Sequence, residues 1–145
     1  MVYVDTSVLA AYYCPEALSA RAEKAVLRSE RPAISLLVEA EFTSAVARKL
    51  REGALAKADA ARIVSRFDLH VATGCYERLP IEASHYEIAR DWLGQFAVPL
   101  RTLDALHLAV CFAGGAVLLT ADAGLARAAR HFRVPTELLA RAAVY

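Results

Sequence analysis

At 145 residues, with 17 basic and 16 acidic side chains for a net charge of +1, the chain has the length of a single domain, residues 1–145, with a core large enough to fold alone. The balanced charge does not announce a nucleic-acid binder, and Arg, Lys, Asp or Glu interrupts every apolar run before it reaches membrane-spanning length. No basic region followed by a long apolar one stands at the start, so no signal peptide is expected and a cytoplasmic location is the default.

The first thirteen residues read MVYVDTSVLAAYY. Val2-Tyr3-Val4 is a β-branched and aromatic run that predicts a short buried strand. It stops at Asp5, and Thr6-Ser7 open an apolar stretch, Val8 to Tyr13, with the character of a first helix. Ala17 to Ser29 has helical spacing, with Leu18, Ala25 and Val26-Leu27 facing inward. Pro32 to Ser35 predicts a second strand ending in a serine suited to capping the next helix. That helix runs from Leu36 to Arg51 and stops at Gly53. Its apolar stripe is Leu37, Val38, Phe42, Ala45, Val46 and Leu50, and Glu41 lies inside it. A carboxylate on a buried face is costly without a partner, so Glu41 requires one, and a cation at the tip of the first strand would serve.

Lys57 to Ala72 predicts another helix, with His70 beside its inward face as a satisfied or half-exposed side chain. Tyr76 to Ile81 is a third strand that Pro80 confines to an edge. A helix over 83–96 follows and is closed by Pro99. Leu100-Arg101-Thr102-Leu103-Asp104 leads into a very apolar helix, Ala105 to Ala113, ended by Gly114-Gly115. Ala116 to Leu119 is a buried strand before Thr120-Ala121-Asp122. Gly124 to Arg130 starts the last clear helix, and Val134-Pro135 onward gives a marginal strand and a short helical tail. Strands alternating with helices predict an α/β fold, a three-layer α/β/α sandwich around a mainly parallel sheet of four to five strands.

The remaining composition is less directive. Three of the 17 basic residues are Lys (Lys24, Lys49, Lys57), leaving 14 Arg, a bias compatible with phosphate recognition and equally with a GC-rich coding background. Cys14, Cys75 and Cys111 have no C-x-x-C spacing and are expected as reduced core residues. The hydrophobic fraction of 57% and mean hydropathy of +0.33 suggest a heavily buried sheet and an apolar surface kept for a partner.

Four acids fall at related places. Asp5 ends one buried strand, Asp122 follows another, Asp104 starts a helix and Glu41 faces inward from one. If the two strands are neighbours, all four converge at the carboxyl edge of the sheet, where open α/β folds bind ligands. Asp5, Asp104 and Asp122 also sit where helix capping would place an aspartate anyway. Glu41 has no such explanation. Converging carboxylates need a counter-charge, and oxygen donors of this kind suit Mg²⁺ or Mn²⁺, ions that serve phosphodiester hydrolysis.

Val4-Asp5-Thr6-Ser7-Val8-Leu9, Ser35-Leu36 with Glu41 six residues after the serine, Leu103-Asp104-Ala105-Leu106 and Leu119-Thr120-Ala121-Asp122 together resemble the four acidic motifs of PIN-domain ribonucleases. The likeness covers nearly the whole chain and is strongest to the VapC-like toxins of toxin–antitoxin pairs. It implies a magnesium- or manganese-dependent endoribonuclease cleaving structured RNA such as transfer RNA, a cognate antitoxin and a homodimer. Carried onto this chain, it makes Asp5, Glu41, Asp104 and Asp122 the catalytic, metal-holding acids, with Thr6, Ser7 and Thr120 as supporting hydroxyls. Arg101 could meet a phosphate, an antitoxin acid or only solvent. His107, one turn after Asp104, could line the cleft and is not placed in the catalytic set. The helices around Leu18–Leu27 and Leu36–Leu50 are candidates for an antitoxin groove, with Tyr12-Tyr13 as an anchor or as core.

Two other acidic-pocket folds are disfavoured. A phosphoacceptor receiver domain would need a late lysine, and none follows Lys57. A haloacid-type phosphatase would need an Asp where Ser7 stands. A catalytically silent PIN fold that only binds protein, and a PIN nuclease outside toxin–antitoxin systems, remain as alternatives.

Overall fold

The computed structural model describes residues 1–140. Its elements, in order, are β1 (Val2–Val4), α1 (Thr6–Tyr13), α2 (Ser19–Leu27), β2 (Pro32–Ile34), α3 (Leu36–Arg51), α4 (Lys57–Ala72), β3 (Glu77–Arg78), α5 (Ala83–Gly94), α6 (Thr102–Ala113), β4 (Val117–Thr120), α7 (Ala123–His131) and β5 (Thr136–Leu138). The five strands form one all-parallel sheet in the order β3-β2-β1-β4-β5, an α/β architecture as the alternation predicts.

The central strand is β1, and it explains its own composition. Covered on both faces, a parallel strand must be apolar throughout, and Tyr3 and Val4 are fully buried. It pairs with β4 in the register Val2↔Val117, Tyr3↔Leu118 and Val4↔Leu119. The chain moves outward from β1 through β2 to β3, then crosses back to β4 and β5. Right-handed crossovers therefore place α1 to α4 on one face and α5 to α7 on the other, consistent with α1 packing on α2 and α3, and α5 on α6. The order reverses between β1 and β4, so the ligand crevice of such a sheet opens where these two strands end.

Below α1 lies an aromatic cluster. Tyr13 meets Phe42 and Phe67 edge-on with ring centroids 5.4 Å apart in each case, and Phe42 and Phe67 lie 4.3 Å apart. The Tyr13 hydroxyl bonds Tyr76 (2.7 Å) and His70 (2.6 Å), so Tyr13 is core and His70 is a satisfied histidine. On the opposite face Trp92 stacks on Phe132 at 4.6 Å.

Several expectations are corrected. Leu27 is 67% exposed, because Ala22, Ala25 and Val26 form the i, i+3, i+4 face that α2 buries and Leu27 lies outside it. Cys14 and Cys111 are buried, but Cys75 is exposed, in the turn where Gly74 takes a φ of 79°. The third strand shrinks to two residues at the sheet edge, ahead of Pro80, which has no N–H for the ladder. On α2 and α3 the residues Ala22, Ala25, Val26, Val38, Phe42 and Val46 are buried, while Leu27 and Leu36 stay exposed. The helical tail expected at the end falls on residues 141–145, outside those described. Among the described residues no helix is long and apolar enough to cross a membrane.

Candidate active site

Asp5 follows directly from β1. Its backbone N–H donates to Leu119 O (2.9 Å), continuing the β1–β4 ladder, and only 6% of the residue is exposed. It stands at the N-cap position of α1 with extended backbone, yet its side chain caps nothing. Oδ2 instead accepts from Ser7 Oγ (2.6 Å) and Thr120 Oγ1 (2.8 Å). Each of these hydroxyls in turn accepts a backbone N–H, Ser7 from Ala121 (2.9 Å) and Thr120 from Asp122 (3.0 Å). Both hydroxyl protons are thus committed to one carboxylate oxygen, and both oxygens to the turn after β4. Thr120 joins Asp5 to Asp122.

Glu41 reaches the same end of the sheet from α3. Its side chain is 28% exposed, and Oε1 meets Nε2 of His107 and accepts from Thr6 Oγ1 (3.5 Å). His107 is 1% exposed. Its Nδ1 bonds the Tyr3 hydroxyl (2.8 Å), which bonds Ser35 Oγ (2.8 Å). Burial foremost pushes the Tyr3 hydroxyl pKa well above its ordinary value, so Tyr3 keeps its proton. The partner that Glu41 requires is therefore a histidine from α6. The signal in the sequence was the spacing Asp104–His107, one helical turn on an otherwise apolar helix.

Asp104 lies in the first turn of α6, where the helix dipole favours an acid. Its Oδ2 accepts from Arg101 Nε (3.1 Å). The exposed Arg101 guanidinium is held further above its ordinary pKa, first by the hydrogen bond and charge of Asp104 and then by the charges of Asp122 and Glu41. It therefore sits in the field of three of the four acids. Asp122 caps α7, its Oδ1 accepting from Leu125 N (3.0 Å). Gly124 leaves room for this, since a Cβ there would come 3.2 Å from Asp122 Oδ1. Arg101, Asp104, Asp122 and Gly124 line a cleft of ≈ 230 Å³.

One pattern unites the four carboxylates. Each is anchored through one oxygen: Asp5 Oδ2, Glu41 Oε1, Asp104 Oδ2 and Asp122 Oδ1. The other oxygen of each has no protein donor among the described residues, and no buried side-chain oxygen there lacks a partner, so the four second oxygens face solvent. The acids are not drawn into a tight cradle, however. Among the described residues no three His, Cys, Asp or Glu side chains cluster closely enough to hold a metal ion. Each carboxylate turns to a donor of its own: a pair of hydroxyls, an imidazole, a guanidinium and a helix N-terminus. The donor set of hard anionic oxygens still fits Mg²⁺ or Mn²⁺ and offers no thiolate for softer ions.

The cap separates two roles of Asp122. Asn caps as well as Asp, whereas Ala loses roughly 1 kcal/mol. Asp122→Asn is expected to keep the thermal midpoint of the wild type, and Asp122→Ala to lower it by about 4 °C, measured by calorimetry. Equal losses in the two variants would show that the Leu125 N–H is not what Asp122 stabilises.

A family model described as PIN domain matches residues 2–131. No curated protein matches the chain. Among solved structures, FitAcB from Neisseria gonorrhoeae is 19% identical with a TM-score of 0.70, covering 94% of this chain and 96% of its own. Mycobacterium tuberculosis VapC20, described as a Sarcin-Ricin loop cleaving toxin, is 19% identical with a TM-score of 0.70, over 88% of this chain and 95% of its own. PAE2754 from Pyrobaculum aerophilum is 24% identical with a TM-score of 0.64, over 88% and 78%. At these identities the structures show likeness of fold.

Proposed function

Since the chain belongs to the PIN-domain family, we propose that it is a divalent-metal-dependent endoribonuclease, the toxin of a toxin–antitoxin pair. The observation that carries this reading is the common posture of Asp5, Glu41, Asp104 and Asp122, each fixed through one oxygen and open through the other at the ends of β1 and β4. These four would hold Mg²⁺ or Mn²⁺. When bound, such an ion acidifies a water, orients a phosphodiester and offsets charge on the leaving oxygen.

The chain's own groups have separable tasks. Ser7 and Thr120 spend their protons on Asp5, so they stiffen the acid and do not donate to substrate. Thr6 supports Glu41. Arg101, whose side chain is 83% exposed, is free to leave Asp104 for a phosphate oxygen, because an exposed ion pair holds it only weakly. No side chain is needed as a dedicated general base.

The toxin role is supported by neighbours such as VapC20 and a toxin–antitoxin complex from Klebsiella pneumoniae. By that analogy the substrate is a structured RNA, transfer RNA being one such class, and the partners are a cognate antitoxin and a second copy of the chain in the cytoplasm. Incubating the purified protein with total RNA tests the activity. Discrete fragments are expected with Mn²⁺ and none with EDTA. Fragments persisting in EDTA would refute metal dependence, and intact RNA with both Mg²⁺ and Mn²⁺ would refute the nuclease.

A further inference from the structure

Tyr3, His107 and Ser35 are three polar side chains sealed in the core, 0%, 1% and 0% exposed. They come from β1, α6 and the residue after β2, and the line they form ends on Glu41 of α3. From this geometry we infer that they are positioning residues, a one-directional hydrogen-bond chain that fixes which oxygen of Glu41 stays open as a ligand. The inference rests on the nuclease reading above for what Glu41 then does.

Counting protons gives the direction. An ionised carboxylate only accepts, so the proton between His107 and Glu41 Oε1 belongs to Nε2. A neutral imidazole has no second proton, so Nδ1 accepts, and the Tyr3 hydroxyl must donate to it. Tyr3 has then spent its one proton, and its contact with Ser35 is one in which Ser35 Oγ donates. Ser35 Oγ has a lone pair left for the Val38 N–H, 3.5 Å away. Every proton along the line is used once. The reverse direction fails the same count. A doubly protonated His107 would donate to Tyr3, Tyr3 to Ser35, and the Ser35 proton would have no acceptor among the described residues, in a site closed to water. It would also bury a charge.

The consequence is mechanical. With Oε1 held by an imidazole that cannot rotate without breaking its bond to Tyr3, Oε2 is the oxygen left without a protein donor and open to solvent. Outer partners of this sort orient metal ligands, and losing one typically costs 10–100-fold in metal affinity. Tyr3, His107 and Ser35 are closed to solvent, so their effect reaches the surface only through Glu41.

Two measurements test this. In the metal-free wild type, long-range ¹H–¹⁵N correlation of the histidine rings is expected to show His107 protonated at Nε2 with an acceptor Nδ1. A His107 protonated at Nδ1, or at both nitrogens, would overturn the inference and requires no variant. Tyr3→Phe keeps the ring and deletes the donor. With Nδ1 left without its donor, the variant is expected to keep Nε2 protonated toward Glu41 but to loosen the His107 ring, and to weaken Mn²⁺ binding by about 10-fold or more, read by calorimetry, while Phe substituted at the surface residue Tyr86 leaves Mn²⁺ binding unchanged. Unchanged Mn²⁺ affinity in a folded Tyr3→Phe protein would refute the positioning role alone. A wild type that binds no Mn²⁺ would instead refute the nuclease reading and the metal-presenting role with it.

Discussion

Asp5→Asn is expected to cut RNA cleavage on the order of 10²-fold or more, the scale on which a preorganised charge-stabilising group acts, while leaving thermal stability unchanged or slightly raised. Asn has the same shape, and its carbonyl oxygen can accept the Ser7 and Thr120 protons that Oδ2 accepts now. The bond from Asp5 N–H to Leu119 O is untouched. What disappears is the negative charge behind the open oxygen. Removing one of several neighbouring carboxylates also relieves like-charge repulsion, so the variant has no reason to unfold. Initial rates across a Mn²⁺ titration, set beside calorimetric scans, separate the two effects. A wild-type rate in a fully folded Asn variant would remove Asp5 from the site, and with it the meaning attached to the end of β1.

How far the sequence alone reaches can be judged at particular residues. The strand at Val2–Val4 is legible because a doubly covered parallel strand has to be apolar throughout. The placement of Asp5 beside the end of β4 follows from strand order, which the alternation of elements restricts. Helix capping offered a rival account of three acids, and only coordinates could divide it: Asp122 caps α7, Asp5 caps nothing, and Asp104 turns to Arg101. His107 was visible as a polar residue one turn from Asp104. Its partner lies 66 positions earlier in the chain, and no local pattern reveals a bond over that separation. The mutual posture of the carboxylates was illegible for the same reason, because each is set by a donor from another element. Leu27 and Cys75 are apolar in type yet exposed. Helix phase decides the first and turn geometry the second.

Phe42→Ala is expected to do the opposite of Asp5→Asn, costing about 3–5 kcal/mol of stability and leaving the chemistry per folded molecule intact. Phe42 follows Glu41 in sequence, yet on a helix the two point about 100° apart. Glu41 goes to Thr6 and His107 and Phe42 to the aromatic cluster, where it is fully buried. The cost should fall toward the upper end because the cavity cannot close. The nearest ring on one side, Phe67, is 4.3 Å away, and on the other Tyr13 is tethered through its hydroxyl to both Tyr76 and His70. Moving Tyr13 into the space would break those bonds in a buried setting, which costs on its own account. Against a total of roughly 5–15 kcal/mol for a domain, such a loss leaves the protein marginal at 37 °C but folded in the cold. Urea unfolding at 10 °C measures the loss, and cleavage at that temperature, scaled to the folded fraction, measures the chemistry. A loss below about 1 kcal/mol would mean that the cluster repacks freely. A drop in scaled activity would mean that α3 transmits core packing to Glu41, so that the two faces of the helix are not independent.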